Sequence, residues 1–268
     1  MIIQFVFGIL KKKRQSQILN GHTHGVCGIK FSSFNNGRYL CSGSYDTTIR
    51  LWDIKTSKSL HVFKGHTSNV WCVDISPFYS NSKNENNNIG IIGGNGYTIC
   101  SGSYDYSIRI WDIETTKQLL MFKKHSNYVN SVKYGSNRLR MNGGINTILS
   151  GSDDKSVCLW DIRSGKQTQI FDGHKDAVRV VEYSPFVANN NETGNGNVIC
   201  SGSYDGTIYF WDIRSNRKAL NVINDSLNGI VCLKFLQLKK KEKAIIIMKN
   251  DQKLWLWFVK KFHIWNIF

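Results

Sequence analysis

The sequence predicts an all-β fold, a β-propeller of four-stranded antiparallel blades with four clear repeat units and a degenerate fifth. Three observations carry that prediction. One pattern recurs four times, as SGSYDTTIRLWDI (42–54), SGSYDYSIRIWDI (101–113), SGSDDKSVCLWDI (150–162) and SGSYDGTIYFWDI (201–213). A His follows the Trp at a constant interval: Trp52 to His66, Trp111 to His125 and Trp160 to His174 are each 14 residues. The 268 residues include 23 Gly but only 2 Pro, which suits many short strands joined by tight turns. Repeats of this kind, four short strands to a unit, mark propeller blades.

Each unit opens after Gly-His or Lys-His with an apolar alternation such as Val70–Ile75, whose period of two places alternate side chains on one face. The second strand runs into Ser-Gly-Ser, as in Thr98–Ser101, and the third carries the Trp, as in Ser107–Trp111. A fourth fills the linker to the next His, as in Leu60–Phe63. Intervals from His to Trp are 30, 45, 35 and 37 residues in the first four units, and the variation sits between first and second strands. The inserts there, Tyr79–Tyr97, Gly135–Asn146 and Val187–Asn197, are rich in Asn, Gly and Ser. Such polar stretches cannot bury enough apolar surface to order themselves, so flexible loops on one face are expected.

The ends are less regular. After Trp211 the 14-residue interval lands on Asp225, so the fifth unit begins with a lost His and is expected to be looser. It closes on DQKLWLW (251–257), which keeps the six-residue Asp-to-Trp spacing while Phe258 replaces the following Asp. Gln15–Leu19 precede Gly21-His22 much as Ser59–Phe63 precede Gly65-His66, so they read as an outer strand that completes the last blade. Two closures stay open: a small five-bladed ring, or an incomplete arc of a truncated member. The division expected is an N-terminal extension (1–14), a propeller (15–258, with units 21–54, 65–113, 124–162, 173–213 and 224–258) and a tail (259–268).

Composition bounds the function. Thirty-five Lys and Arg against 19 Asp and Glu give a formal charge of +16, which favours anionic partners. Much of the excess lies in the runs Lys11–Arg14 and Lys239–Lys243, outside the best-patterned parts, and reads as solvated surface. The seven Cys show neither CxxC nor zinc spacing. Cys41, Cys100 and Cys200 recur just before Ser-Gly-Ser, and Cys27, Cys72 and Cys232 in another matching set, so they read as reduced thiols of a cytoplasmic or nuclear protein. Met1–Leu10 is apolar, but its positive run follows instead of preceding it, and it is too short to span a bilayer, so a short helix or stray strand is expected and no membrane role. The Gly-rich stretch Gly90–Gly96 lacks the Gly-Lys-Ser/Thr ending of a phosphate loop. No cofactor or metal site is expected.

His22, Ser42 and Asp46 resemble a hydrolase triad, but the same set recurs as His66/Ser101/Asp105, His125/Ser150/Asp154 and His174/Ser201/Asp205. Four equal copies contradict a single activated nucleophile, so the constellation is structural and no enzyme is expected. These motifs resemble those of the WD-repeat (G-protein-beta-like) family over about residues 15–258. The resemblance implies that each set joins its Trp (Trp52, Trp111, Trp160, Trp211) in a hydrogen-bond network tying the turn after the second strand to the loop before the first. It also implies a partner-binding face, formed by the residue before each network Asp and those flanking the first Val of the innermost strand. Here these are Tyr45, Tyr104, Asp153 and Tyr204, with Gly25 and Cys27, Asn69 and Trp71, Tyr128 and Asn130, Ala177 and Arg179.

The function this implies is a protein–protein interaction scaffold within a multiprotein complex, docking proteins or peptides. An extended peptide with acidic residues would suit aromatic rings around Arg179. Two alternatives stand beside it. Trp160-Asp-Ile-Arg163 and Trp211-Asp-Ile-Arg214 resemble the Trp-Asp-x-Arg box of substrate receptors for cullin-type ubiquitin ligases, with Arg163 and Arg214 as adaptor contacts. The charge also allows salt-sensitive nucleic-acid binding.

Overall fold

The computed structural model describes residues 4–9, 14–33, 37–76, 97–135, 146–184, 198–214, 219–224, 229–239, 242–249, 254–260 and 263–266. A hairpin of β1 (Gln4–Ile9) and β2 (Arg14–Asn20) comes first. Five four-stranded sheets follow, each with its strands in chain order. The first holds β3 (Val26–Phe31), β4 (Tyr39–Ser44), β5 (Ile49–Asp53) and β6 (Lys58–Phe63); the second β7 (Val70–Ile75), β8 (Thr98–Ser103), β9 (Ile108–Asp112) and β10 (Gln118–Phe122). The third holds β11 (Val129–Tyr134), β12 (Thr147–Ser152), β13 (Val157–Asp161) and β14 (Lys166–Phe171); the fourth β15 (Val178–Tyr183), β16 (Val198–Ser203), β17 (Thr207–Asp212) and β18 (Ala219–Asn224). The fifth holds β19 (Ile230–Lys239), β20 (Glu242–Lys249), β21 (Leu254–Lys260) and β22 (His263–Asn266). These are propeller-type blades, as the repeat predicts. The bulk of the three polar inserts lies outside the described residues, and so does the expectation about their flexibility.

Two expectations are corrected at the ends. Of the short helix or stray strand expected at the N-terminus, residues 4–9 form the strand, and it is not left unpaired: β1 pairs along β2, from Gln4 opposite Asn20 to Ile9 opposite Arg14. β2 is thereby used, and the last sheet takes its fourth strand from His263–Asn266, which pairs with Trp257–Lys260. That sheet therefore runs past residue 258 into the expected tail. The continuous apolar run that ends at Val259 is followed by a second apolar pair at Ile264 and Trp265, and a hairpin there satisfies the backbone of β21 locally.

The chain divides into two compact units, residues 1–134 with 161–166, and residues 135–160 with 167–268. Within the first, Cys41, Ile49, Leu51 and Phe63 of the first blade pack on Val70, Val73, Ile75, Ile99 and Trp111 of the second. Within the other, Leu149, Val157, Leu159 and Phe171 pack in the same way on Val178, Val181, Ile199 and Trp211. Val198, Cys200, Ile208 and Phe210 share a cluster with Ile230, Leu233 and Ile247 of the fifth blade. The central Gly of Ser-Gly-Ser makes this possible. A Cβ on Gly43, Gly102, Gly151 or Gly202 would stand 2.7, 2.6, 2.7 or 2.6 Å from Val70, Val129, Val178 or Ile230, inside van der Waals contact.

A polar stitch crosses blades one to three within the first unit. Asp74, 4% exposed, lies 2.6 Å from Lys30 Nζ of β3 and accepts the amide of Tyr134 of β11 at 2.9 Å. Tyr134 Oη in turn meets Thr98 Oγ1 at 2.7 Å, and Tyr183 meets Thr147 at 3.2 Å in the equivalent place.

Candidate functional site

Three of the expected networks are built alike, side chain by side chain. His22 Nδ1 lies 2.8 Å from Asp46 and Nε2 2.8 Å from Ser42 Oγ, while Trp52 Nε1 donates to the same oxygen at 2.8 Å. In the second blade the distances are 2.8 Å (His66–Asp105), 2.7 Å (His66–Ser101) and 2.9 Å (Trp111–Ser101). In the fourth they are 3.1 Å (His174–Asp205), 2.8 Å (His174–Ser201) and 2.9 Å (Trp211–Ser201). In the third, Trp160 donates to Ser150 at 2.8 Å, Ser156 donates to Asp154, and His125 is buried.

The protons follow from the chemistry of the groups. A carboxylate only accepts, so His Nδ1–H donates to Asp; Nε2 of the neutral ring then accepts the Ser O–H, and Ser Oγ accepts the Trp N–H. Burial lowers the pKa of His22, His66 and His174 and outweighs the Asp beside each, which keeps the rings neutral. Burial pushes Asp46 upward, but hydrogen bonds from Thr48, His22 and the Thr23 amide prevail and hold it at about 2. Asp105 and Asp205 are depressed likewise against the opposing effect of burial. Ser42, Ser101 and Ser201 are 2%, 0% and 0% exposed. A seryl oxygen that is closed off from solvent and already accepts a Trp N–H reaches no substrate, so the triad-like set is a structural clamp in the first, second and fourth blades.

The Asp also shapes its turn. Its amide is capped by the Ser two residues back, and its carboxylate accepts the amide two residues on, as in Ser44–Asp46–Thr48 and Ser203–Asp205–Thr207. Between them one residue takes a left-handed backbone: Thr47 (φ 67°), Tyr106 (φ 67°), Lys155 (φ 72°) and Gly206 (φ 78°).

Those turns position the residues expected to form the docking face. The residue before each Asp is held by its own amide, Tyr45 to the Gly25 carbonyl (2.9 Å), Tyr104 to Asn69 (3.0 Å) and Tyr204 to Ala177 (3.0 Å). In the first unit their rings join a continuous stack. Tyr45 lies on Trp71 (5.9 Å between centroids), Trp71 on Tyr104 (5.1 Å) and Tyr104 on Tyr128 (3.9 Å), all within 25° of parallel. Tyr45 and Tyr128 are exposed, Trp71, Tyr104 and Asn69 half-buried, and Asn130 buried. Tyr106, which the sequence did not single out, leans on Tyr128 at 5.7 Å and is 39% exposed. Only its left-handed backbone sends it there, and no spacing rule reveals that. In the second unit Arg179 pairs with Asp153 at 3.2 Å and stacks 4.6 Å over the Tyr204 ring. Arg163 and Arg214 are exposed at equivalent turns after the third strand, their amides donating to Asp161 (3.1 Å) and Asp212 (2.9 Å).

Among the described residues no group of His, Cys, Asp or Glu is arranged to hold a metal, the seven Cys are free thiols, and no helix is long and apolar enough to cross a membrane.

Repeating four-stranded blades, three of them clamped by a complete Trp-Ser-His-Asp relay, define a propeller of the WD type. The chain belongs to that family: the model of the "WD domain, G-beta repeat" matches residues 13–53, 57–112, 116–161 and 165–212. It is similar to cell division control protein 4 of Saccharomyces cerevisiae (31% identical over 183 residues, covering 50% of this chain and 23% of that protein). It is also similar to autophagy-related protein 16 of Arabidopsis thaliana (36% over 128 residues, 48% and 21%). A third relative is eukaryotic translation initiation factor 3 subunit I of Xenopus tropicalis (29% over 109 residues, 41% and 28%). The chain thus spans about a quarter of the length of these relatives.

Proposed function

We propose that the chain is a non-catalytic docking platform whose Tyr45–Trp71–Tyr104–Tyr128 stack receives a segment of a partner protein within a multiprotein complex. WD-repeat proteins in general act as protein-interaction scaffolds, and one relative is by its name a subunit of a larger factor. The aromatic stack carries the reading. Tyr and Trp supply large contact area at little entropic cost, and Tyr, Trp and Arg dominate interface hot spots. Here the rings are held against one another and anchored by backbone hydrogen bonds, so little ordering is left for binding to accomplish. The cytoplasm or nucleus is the setting in which we place it.

The test compares the wild-type chain with a Trp71→Ala/Tyr104→Ala variant as bait in cell extract, with a photo-crosslinking residue at position 106 to mark direct contacts. Loss from the variant of proteins crosslinked at 106, with the fold intact by circular dichroism, is the expected result. Equal capture by both forms would overturn the reading. Capture that survives in both forms and collapses on added salt or nuclease would point to nucleic acid instead.

A further inference from the structure

Later blades bury most of the equivalent residues of their first strand: Val73 is 7% and Ile75 3% exposed, Val132 1% and Tyr134 5%, Val181 0% and Leu233 1%, with Tyr183 and Phe235 half-buried. The first blade differs, for its equivalents Ile29 and Phe31 are 42% and 45% exposed. Farther out on the same face Leu40 and Trp52 are closed off, 0% and 2% exposed, in a cluster with Leu19 of β2. Half of this face is covered, by the N-terminal hairpin.

The register of that hairpin says what it stands for. Phe5 is opposite Leu19, Val6 opposite Ile18 and Phe7 opposite Gln17. In the first blade Ile49 is opposite Phe63, Arg50 opposite Val62 and Leu51 opposite His61. Leu19 precedes Gly21-His22 at the interval by which Phe63 precedes Gly65-His66. β1 and β2 are therefore the third and fourth strands of a blade whose first and second strands none of the described residues supplies. Among the described residues β1 pairs with β2 alone, which leaves its other backbone edge open to a further strand.

We propose that this half-blade is the acceptor for a β-hairpin of another polypeptide. The incoming second strand adds along the open edge of β1 by main-chain hydrogen bonds, and the hairpin lays its apolar face on Val26 and Ile29. The site dictates the chemistry of the occupant: two antiparallel strands of about six residues, apolar on one face, with Gly in the place over Val26 that Gly43 holds over Val70. A two-stranded sheet is marginal alone, and an edge flanked by exposed apolar side chains is a strong template for pairing. The fifth blade of this chain does not meet the description. Its β19 and β20 are already paired within a four-stranded sheet, and Met248 stands in the register place of Gly202, where a single carbon would come within 2.6 Å of Ile230.

The probe is a synthetic peptide of residues 26–44, the hairpin of the first blade that carries Gly43, titrated under reducing conditions into the full chain. Saturable one-to-one binding is expected, with slowed amide exchange along β1. Affinity should fall at least 10-fold in the Ile29→Asp chain and, separately, for the Gly43→Val peptide against the wild-type chain. Absence of binding, together with unchanged β1 exchange when the same hairpin is fused ahead of residue 5, overturns the proposal; so does binding indifferent to both substitutions. Footprinting of Ile29 in the chain alone separates the other occupants. Protection in a monomer means that the chain covers the face itself, and protection confined to a dimer means that a second copy does; either result overturns the proposal.

Discussion

At Ser101 one hydroxyl serves two partners, accepting from Trp111 and donating to His66, while His66 passes its remaining N–H to Asp105. Removing the middle of such a relay strands both ends in the interior. His66→Ala is expected to cost about 2–4 kcal/mol, from the cavity and the unsatisfied groups together, measured as a lowered denaturation midpoint in urea. Trp111→Phe keeps most of the ring and loses one hydrogen bond, so a smaller cost of about 1–2 kcal/mol is expected beside it. Trp71→Ala and Tyr104→Ala, at half-buried positions outside the relay, should reduce partner capture while shifting the midpoint by less than His66→Ala does. If the two classes lowered stability equally, the division between clamp and docking residues would be wrong.

At the scale of the blade, the described turns after the second strand in blades one to four, and after the third in blades one to three, each hold a residue in the left-handed region. The turn after the third strand does so at Ser57 (φ 55°), Thr116 (φ 59°) and Gly165 (φ 65°), so the third blade already carries the residue that tolerates it. An L side chain there costs about 1–2 kcal/mol. Thr116→Gly should recover a part of that, raising stability by about 0.5–1 kcal/mol by chemical denaturation once the greater freedom of Gly in the unfolded chain is subtracted. No gain would mean that the Thr116 side chain contributes as much as the turn loses. Between blades the opposite holds, because glycine is there for space and not for its dihedral angle. Gly102→Val would drive a side chain into Val129 and is expected to destabilise by about 1–3 kcal/mol or more, read from the same urea curve.

Over the whole molecule the repeated relays give one shared pH response. In the folded chain His22, His66 and His174 titrate below 6.5, so the unfolded chain takes up protons first as pH falls. Stability from this source is full above pH 6.5 and is lost on acidification. Asp46, at about 2 in the fold against 3.8 ordinarily, contributes stability that is present above 3.8 and lost as pH falls toward 2, and Asp105 and Asp205 act in the same direction. The thermal midpoint should therefore be flat from pH 7 to 8, decline below 6.5 and fall again below 4. A maximum near pH 5 would contradict the neutral assignment of the rings. The fifth blade takes no part, since Ile247 fills the register place of Ser201, and its amides are expected to exchange faster than those of the fourth.

The sequence by itself determined the blades and their clamps, because a relay of Trp, Ser, His and Asp needs those four side chains at recurring places in each copy, and repetition makes the requirement visible. The recurring Gly of Ser-Gly-Ser was equally legible as a pattern, though its reason, contact with the next blade, was not. Only the tertiary structure decided what depends on neighbours distant in sequence: the stacking of Tyr45, Trp71, Tyr104 and Tyr128, the entry of Tyr106 through a left-handed backbone, the stitch from Lys30 through Asp74 to Tyr134, and the pairing of β2 with β1 in place of the last sheet. Strand periodicity fixes which face a residue takes within its own strand. Which strand lies beside it, and how much of that face is covered, is settled by competition among edges and surfaces that carry no local signature.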